Sequence, residues 1–242
     1  MRYRLRFNNL NQGDWTAHSF TDDTPPVIFG KGVMKGTATP TDIQWDSTFP
    51  NRSHALLATH PCTYAFGKTS DGRPLTLRST DQSDANNAAL RTLISQAVAA
   101  LRNGLIEINH PWEIRMPFFN NATLTRYQAG GTLPPHQDNE PEHINDMIIS
   151  ISWGGSAVMY FPRFKGDPCP DAIRLEDGDL LAFDRFLYHG ICDVEESRTN
   201  ATLRTWKEPW CQPKKRRPQI HSPSTTKRSR QLVKYNDPRL TN

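Results

Sequence analysis

The chain has 242 residues, 36% hydrophobic and 22% charged, with six tryptophans, 19 prolines and a formal net charge of +4. That is ample for one domain with a full core and short for two, ordinary for a soluble globular protein, and the prolines argue for many turns and few long helices. No run approaches the 18 apolar residues of a membrane span, and Met1-Arg2-Tyr3-Arg4-Leu5-Arg6-Phe7 has no apolar signal region, so no membrane association is expected and an intracellular monomer, cytoplasmic or nuclear, is.

Two distributions refine this. Cys62, Cys169, Cys192 and Cys211 show no C-x-x-C spacing, so reduced thiols are expected rather than a zinc knuckle or redox pair. Residues 207 to 242 carry ten Lys/Arg against two acids, or +8, leaving −4 for the remainder: a basic tail on a mildly acidic body.

In chain order, residues 1–82 read as loops and short strands punctuated by Pro25-Pro26, Pro40, Pro50, Pro61 and Asp71-Gly72. Gly30-Lys31-Gly32 lacks the Walker spacing and is a turn. The spacing predicts one amphipathic helix over about 85–103. There Leu90, Leu93, Ile94, Ala97, Val98 and Leu101 form one apolar stripe, with Asp84 as start cap and Gly104 as stop.

From Asn121 the pattern turns to strands. In Thr123-Leu124-Thr125-Arg126-Tyr127, alternation puts Thr123, Thr125 and Tyr127 on one face. After the turn Ala129-Gly130-Gly131 comes Leu133-Pro134-Pro135-His136-Gln137-Asp138, where an imidazole and a carboxylate two residues apart can face one point. Met147–Trp153 and Ala157–Pro162 read as strands joined at Gly154-Gly155. Glu176-Asp177-Gly178-Asp179 turns the chain into Leu180-Leu181-Ala182-Phe183, and His189 follows, 53 residues after His136. Two histidines and a carboxylate make the facial triad of non-haem Fe(II) oxygenases, with three coordination positions open. His143 and His221 compete as third ligand, but His143 is in the same loop as Asp138 and His221 is in the tail.

In Arg198-Thr199-Asn200-Ala201-Thr202-Leu203-Arg204 a strand would turn Arg198, Asn200, Thr202 and Arg204 to one face. Two guanidinium groups there call for an anion or a polar partner. Their backbones are about 20 Å apart along an ideal strand, which suits opposite ends of a small dicarboxylate better than one carboxylate.

Taken together, His136-x-Asp138, His189 and Arg198-x-Asn200-x-Thr202-x-Arg204 resemble the AlkB family of Fe(II)/2-oxoglutarate dioxygenases. Thr125-Arg126-Tyr127, Leu175-Glu176-Asp177-Gly178-Asp179-Leu180 and Leu187-Tyr188-His189-Gly190-Ile191 follow that family's order, over roughly residues 120–207. The resemblance implies a mainly β (α+β) fold, a double-stranded β-helix or jelly-roll core with flanking helices. It divides the chain into an N-terminal extension and nucleotide-lid region (1–82), a dioxygenase core (83–210) and a basic tail (211–242).

The resemblance further implies demethylation of N-alkylated bases in DNA or RNA with release of succinate, CO2 and formaldehyde. His136, Asp138 and His189 would hold Fe(II). Tyr127, Arg198, Asn200, Arg204 and Thr125 would bind 2-oxoglutarate, although the place of Thr125 is often Asn in the family. Glu140, Tyr64 and Phe183 are the substrate candidates, Glu140 for an exocyclic nitrogen and the two rings for stacking. Two other readings stay open: an oxygenase of protein or small-molecule substrates, and a catalytically silent nucleic-acid-binding module.

Overall fold

A computed structural model describes residues 4–7, 14–20, 25–40, 43, 45–49, 51–59, 63–68, 74–79, 84–140, 143–164 and 166–207. The tail from 211, with His221, lies outside the described residues. So does the side chain of Tyr64.

The first half supplies β1 (Arg6–Phe7), β2 (Trp15–His18), β3 (Val27–Gly30), β4 (Asp46–Phe49), β5 (Arg52–Ala58), β6 (Thr63–Lys68), β7 (Pro74–Arg78) and helix α1 (Asp84–Glu107). The second half supplies β8 (Asn121–Tyr127), β9 (Leu133–His136), β10 (Met147–Gly154), β11 (Ala157–Phe161), β12 (Asp171–Leu175), β13 (Leu180–Asp184), β14 (His189–Cys192) and β15 (Arg198–Arg204). Eight strands form one sheet in the order β2-β3-β13-β10-β15-β8-β5-β4, and five form a second in the order β1-β12-β11-β14-β9.

Alternation along the strands builds two apolar layers. Ile28, Leu57, Leu124, Ile149, Leu180 and Leu203 leave the larger sheet on one side and meet the helix stripe Leu90, Leu93, Ala97 and Leu101. Residues one step along, Phe29, Tyr127, Ile148, Leu181 and Phe183, pack instead against Met159, Phe161, Ile173 and Ile191 of the smaller sheet. Strands β10 and β11, consecutive in sequence, belong to different sheets. The chain changes sheet through Gly154-Gly155, and this crossing makes a two-sheet jelly roll.

One expectation is corrected. The helix runs on through Gly104 to Glu107. A Cβ at Gly104 would stand 2.1 Å from the Trp15 indole, so this glycine admits a packed ring and does not stop the helix. The helices flanking the core are, among the described residues, α1 and one 3-10 turn at Pro111–Arg115. Within the segment read as a lid, β5 pairs residue for residue with β8 from Arg52↔Tyr127 to Ala58↔Asn121. No described helix is long and apolar enough to cross a membrane.

Candidate metal and cosubstrate site

His136 closes β9 and His189 opens β14, and the two stand directly opposite in the antiparallel pair. Side chains opposite one another share a face, so register alone brings the imidazoles together, with ring centroids 4.4 Å apart. Gly190 makes the approach possible. A Cβ there would come within 2.8 Å of the Leu133 carbonyl oxygen and 2.7 Å of Tyr160 Oη. Asp138 follows two residues after His136, with its amide donating to the Arg185 carbonyl.

The three side chains converge. Nε2 of His136 lies 3.5 Å from Asp138 Oδ1 and Nε2 of His189 lies 3.8 Å from Oδ2, with one ligand atom of each within 4.8 Å of the others. Both Nδ1 atoms face backbone carbonyls, Pro134 O at 3.0 Å and Leu187 O at 2.9 Å. An Nδ1–H held by a carbonyl leaves the Nε2 lone pair free for a metal, and fixes the ring that carries it. The donor set and its orientation therefore fit a divalent iron with open positions.

Electrostatics support the same use. Burial acts to raise the Asp138 carboxyl, but the Arg204 guanidinium, 2.7 Å away, and the two imidazoles hold it well below the usual carboxylate range. His189 is lowered to about 4 by burial and then by His136, so it is neutral near pH 7. In His136 burial acts downward, yet the hydrogen bond and charge of Asp138 prevail and its pKa is raised.

A cavity of about 370 Å³ opens from this point between the sheets. Its wall from the larger sheet follows the strand registers: His54, Thr125 and Asn200 lie in one row, and Thr123, Thr202 and Ser150 in the next. Ser150 Oγ donates to Asn200 Oδ1 at 3.0 Å, Asn200 Nδ2 to Thr202 Oγ1 at 3.3 Å, and Arg204 Nη1 to Thr123 Oγ1 at 2.8 Å. Tyr127 is buried in the same wall, its hydroxyl pushed up to about 12 by that burial.

The expected residues fall into place unequally. His136, Asp138, His189, Tyr127, Thr125, Asn200, Arg204, Glu140 and Phe183 all line this cavity. Arg198 does not, although its cross-strand neighbour Tyr127 does. The Arg198 guanidinium is 2% exposed and donates to Ser152 Oγ at 2.5 Å. Its Nε and Nη1 have no hydrogen-bond partner among the described residues. Phe183 is fully buried and packs edge-on against His189, centroids 4.8 Å apart. His143 is not among the converging ligands, and its Nδ1 lies against the Asp138 carbonyl at 3.2 Å.

Several wall residues escaped the sequence reading. His54, whose Nδ1 lies 3.1 Å from Thr125 Oγ1, and Arg52, whose Nη1 donates to Thr132 O at 2.7 Å, both come from β5. Ser150 and Ser152, two steps apart in an otherwise apolar strand, carried a usable signal, since polar side chains on one face of a buried strand need a polar neighbour.

The family model of the 2OG-Fe(II) oxygenase superfamily matches residues 40–232. The "Alpha-ketoglutarate-dependent dioxygenase AlkB" of Salmonella typhimurium is 32% identical over 92 residues, covering 34% of this chain and 43% of that protein. The protein of the same name from Escherichia coli is 32% identical over 71 residues, covering 28% and 33%. The chain thus matches less than half the length of these relatives. The solved structure of OsALKBH1 superposes with a TM-score of 0.53 at 17% identity, over 78% of this chain and all of that one, which is a likeness of fold.

Proposed function

Because this chain belongs to the 2OG-Fe(II) oxygenase superfamily, as an AlkB-like member, we propose that it removes alkyl groups from the nitrogens of DNA or RNA bases. His136, Asp138 and His189 hold Fe(II). Bound iron with O2 and 2-oxoglutarate supplies the oxidation of the N-alkyl carbon, yielding succinate, CO2 and formaldehyde. The observation that carries the reading is the convergence of three oriented ligand atoms at the end of a cavity whose inner wall is a ladder of hydroxyl and amide groups.

The residues around the metal divide the remaining work. Arg204 keeps Asp138 ionised and fixes its second oxygen, leaving Oδ1 toward His136. Tyr127, Asn200 and Thr125 orient the cosubstrate, and Arg198, buried behind the cavity wall with no salt-bridge partner among the described residues, supplies the positive field that draws its distal carboxylate to that end. Glu140 at the cavity wall accepts from an exocyclic amine, and Phe183 keeps water from the inner face of His189. The target nitrogen of a base is crowded in a duplex, so the nucleotide enters from a single strand or flips out. The basic residues of 211–242 add sequence-independent, salt-sensitive phosphate contacts.

The test incubates purified protein, Fe(II) and 2-oxoglutarate with single- and double-stranded oligonucleotides bearing N1-methyladenine or N3-methylcytosine, read by mass spectrometry and formaldehyde release. A mass loss of one methyl group is expected, absent in His136→Ala and Asp138→Ala. Succinate formation without any repaired base would instead favour a protein or small-molecule substrate.

A further inference from the structure

Among the described residues a second cavity lies apart from the one lined by His136, Asp138 and His189. It measures about 300 Å³ and is lined chiefly by Phe20, Phe161, Phe186 and Tyr188, with Gln137, Asp184 and the exposed Arg163. Gln137 also lines the first cavity, and in sequence it stands between two metal-ligand candidates, His136 and Asp138. Its Nε2 donates to the Phe186 carbonyl at 2.5 Å, so the partition between the cavities is tied to the ligand-bearing segment.

The partition is built of rings. Phe20 stacks on Phe161 with centroids 4.5 Å apart, Phe161 meets Phe183 edge-on at 6.3 Å, and Phe183 meets His189 at 4.8 Å. One side of this series belongs to the second cavity and the other to the metal site. Gln137 is the one lining residue the two cavities share, so it marks the side on which the second adjoins the first.

The lining selects what the second cavity takes. Aromatic faces take any nucleobase by stacking, without regard to sequence, and 300 Å³ is at the lower bound of ordinary ligand pockets. Arg185 lies over the Phe186 ring, its guanidinium carbon 4.5 Å from the centroid, and pairs with Asp146, while Arg163 pairs with Asp167 and Asp171, and Asp184 also lines the cavity. With the charges balanced, the selection rests on the aromatic faces, which offer a planar base a stacking partner.

We propose that this cavity receives the base of the nucleotide adjoining the one whose base enters the metal cavity, so that two successive nucleotides are held. The inference rests on the nucleic-acid reading above and adds a second subsite to it.

The experiment uses the full chain and trinucleotides with N1-methyladenine at the centre, each flanking base either present or replaced by an abasic sugar. With the unaltered protein, loss of the base on one side lowers kcat/KM by about tenfold or more, the size expected for one base–aromatic stack. Phe186→Ala removes a half-exposed ring and leaves the carbonyl bonded by Gln137 untouched. It lowers kcat/KM on the complete trinucleotide by a similar factor and abolishes the dependence on that flanking base, which a general structural defect would not do.

A 2-aminopurine at the same flank is quenched on anaerobic binding to the unaltered protein and not to Phe186→Ala. Equal flank sensitivity in both proteins, or none in the unaltered one, overturns the proposal while leaving base demethylation intact. Consumption of 2-oxoglutarate with no trinucleotide demethylated overturns the nucleic-acid reading, and this inference with it.

Discussion

Asp138, 1% exposed between a guanidinium and two imidazoles, stays ionised because of what surrounds it. Arg204→Met leaves burial unopposed by the nearest cation. Mn(II) affinity, followed by titration, is expected to fall by roughly ten- to a hundredfold, as for other outer-shell partners of metal ligands. His136 and His189 divide the pH dependence. His189 sits at about 4 and does not compete for protons near neutrality, whereas His136 is raised and must lose its proton to bind metal. Mn(II) affinity is therefore expected to fall by about tenfold per pH unit below the His136 pKa, with uptake of metal releasing one proton, countable in buffers of different ionisation enthalpy.

Arg198 presents the opposite case, a buried cation with no acid in salt-bridge range among the described residues, Asp179 acting on it only from further off. Arg198→Met should raise the KM for 2-oxoglutarate by tenfold or more while leaving the urea midpoint of the ligand-free protein unchanged or higher, because a desolvated charge is replaced by an apolar side chain. A lowered midpoint would show that the guanidinium serves the fold rather than a ligand.

Among the elements, α1 displays where sequence periodicity succeeds and where it stops. The stripe from Leu90 to Leu101 is buried as its spacing implies, but the helix passes through Gly104 because Trp15, almost 90 residues earlier, fills the space a side chain would need. Gly104→Ala improves helix propensity by about 1 kcal/mol, yet overpacking against the indole should outweigh it, for a net loss of about 1–2 kcal/mol in denaturant unfolding. The metal ligands were legible because His-x-Asp and the later histidine carry their chemistry in a short spacing. His54 was not. It reaches the cavity only through pairing of β5 with β8, which joins residues 71 apart, and nothing local in either strand names its partner. Arg198 shows a finer limit: alternation gave its face correctly, while its burial beyond the cavity wall depends on the neighbouring rows.

At the scale of the whole molecule, buried histidines couple stability to acidity. His54 is lowered to about 4 by burial and then Arg52, and His143 to about 4 by burial and then Arg204. Their unfolded values lie near 6.5, so their contribution is fully present above about pH 6.5 and is lost as the pH falls toward 4, where the unfolded chain takes up protons first. The urea midpoint of the metal-free protein is expected to drop between pH 6.5 and 4, and His54→Gln to make that drop shallower.

The smaller sheet ends at β9, whose inner residues are Pro134 and Pro135. Two consecutive residues without an amide hydrogen deprive that border of the donors by which a foreign strand would dock and lengthen the sheet. Self-association and fibril growth are thus discouraged at the one margin that carries His136, and the approach to the iron-binding corner is kept clear for smaller visitors.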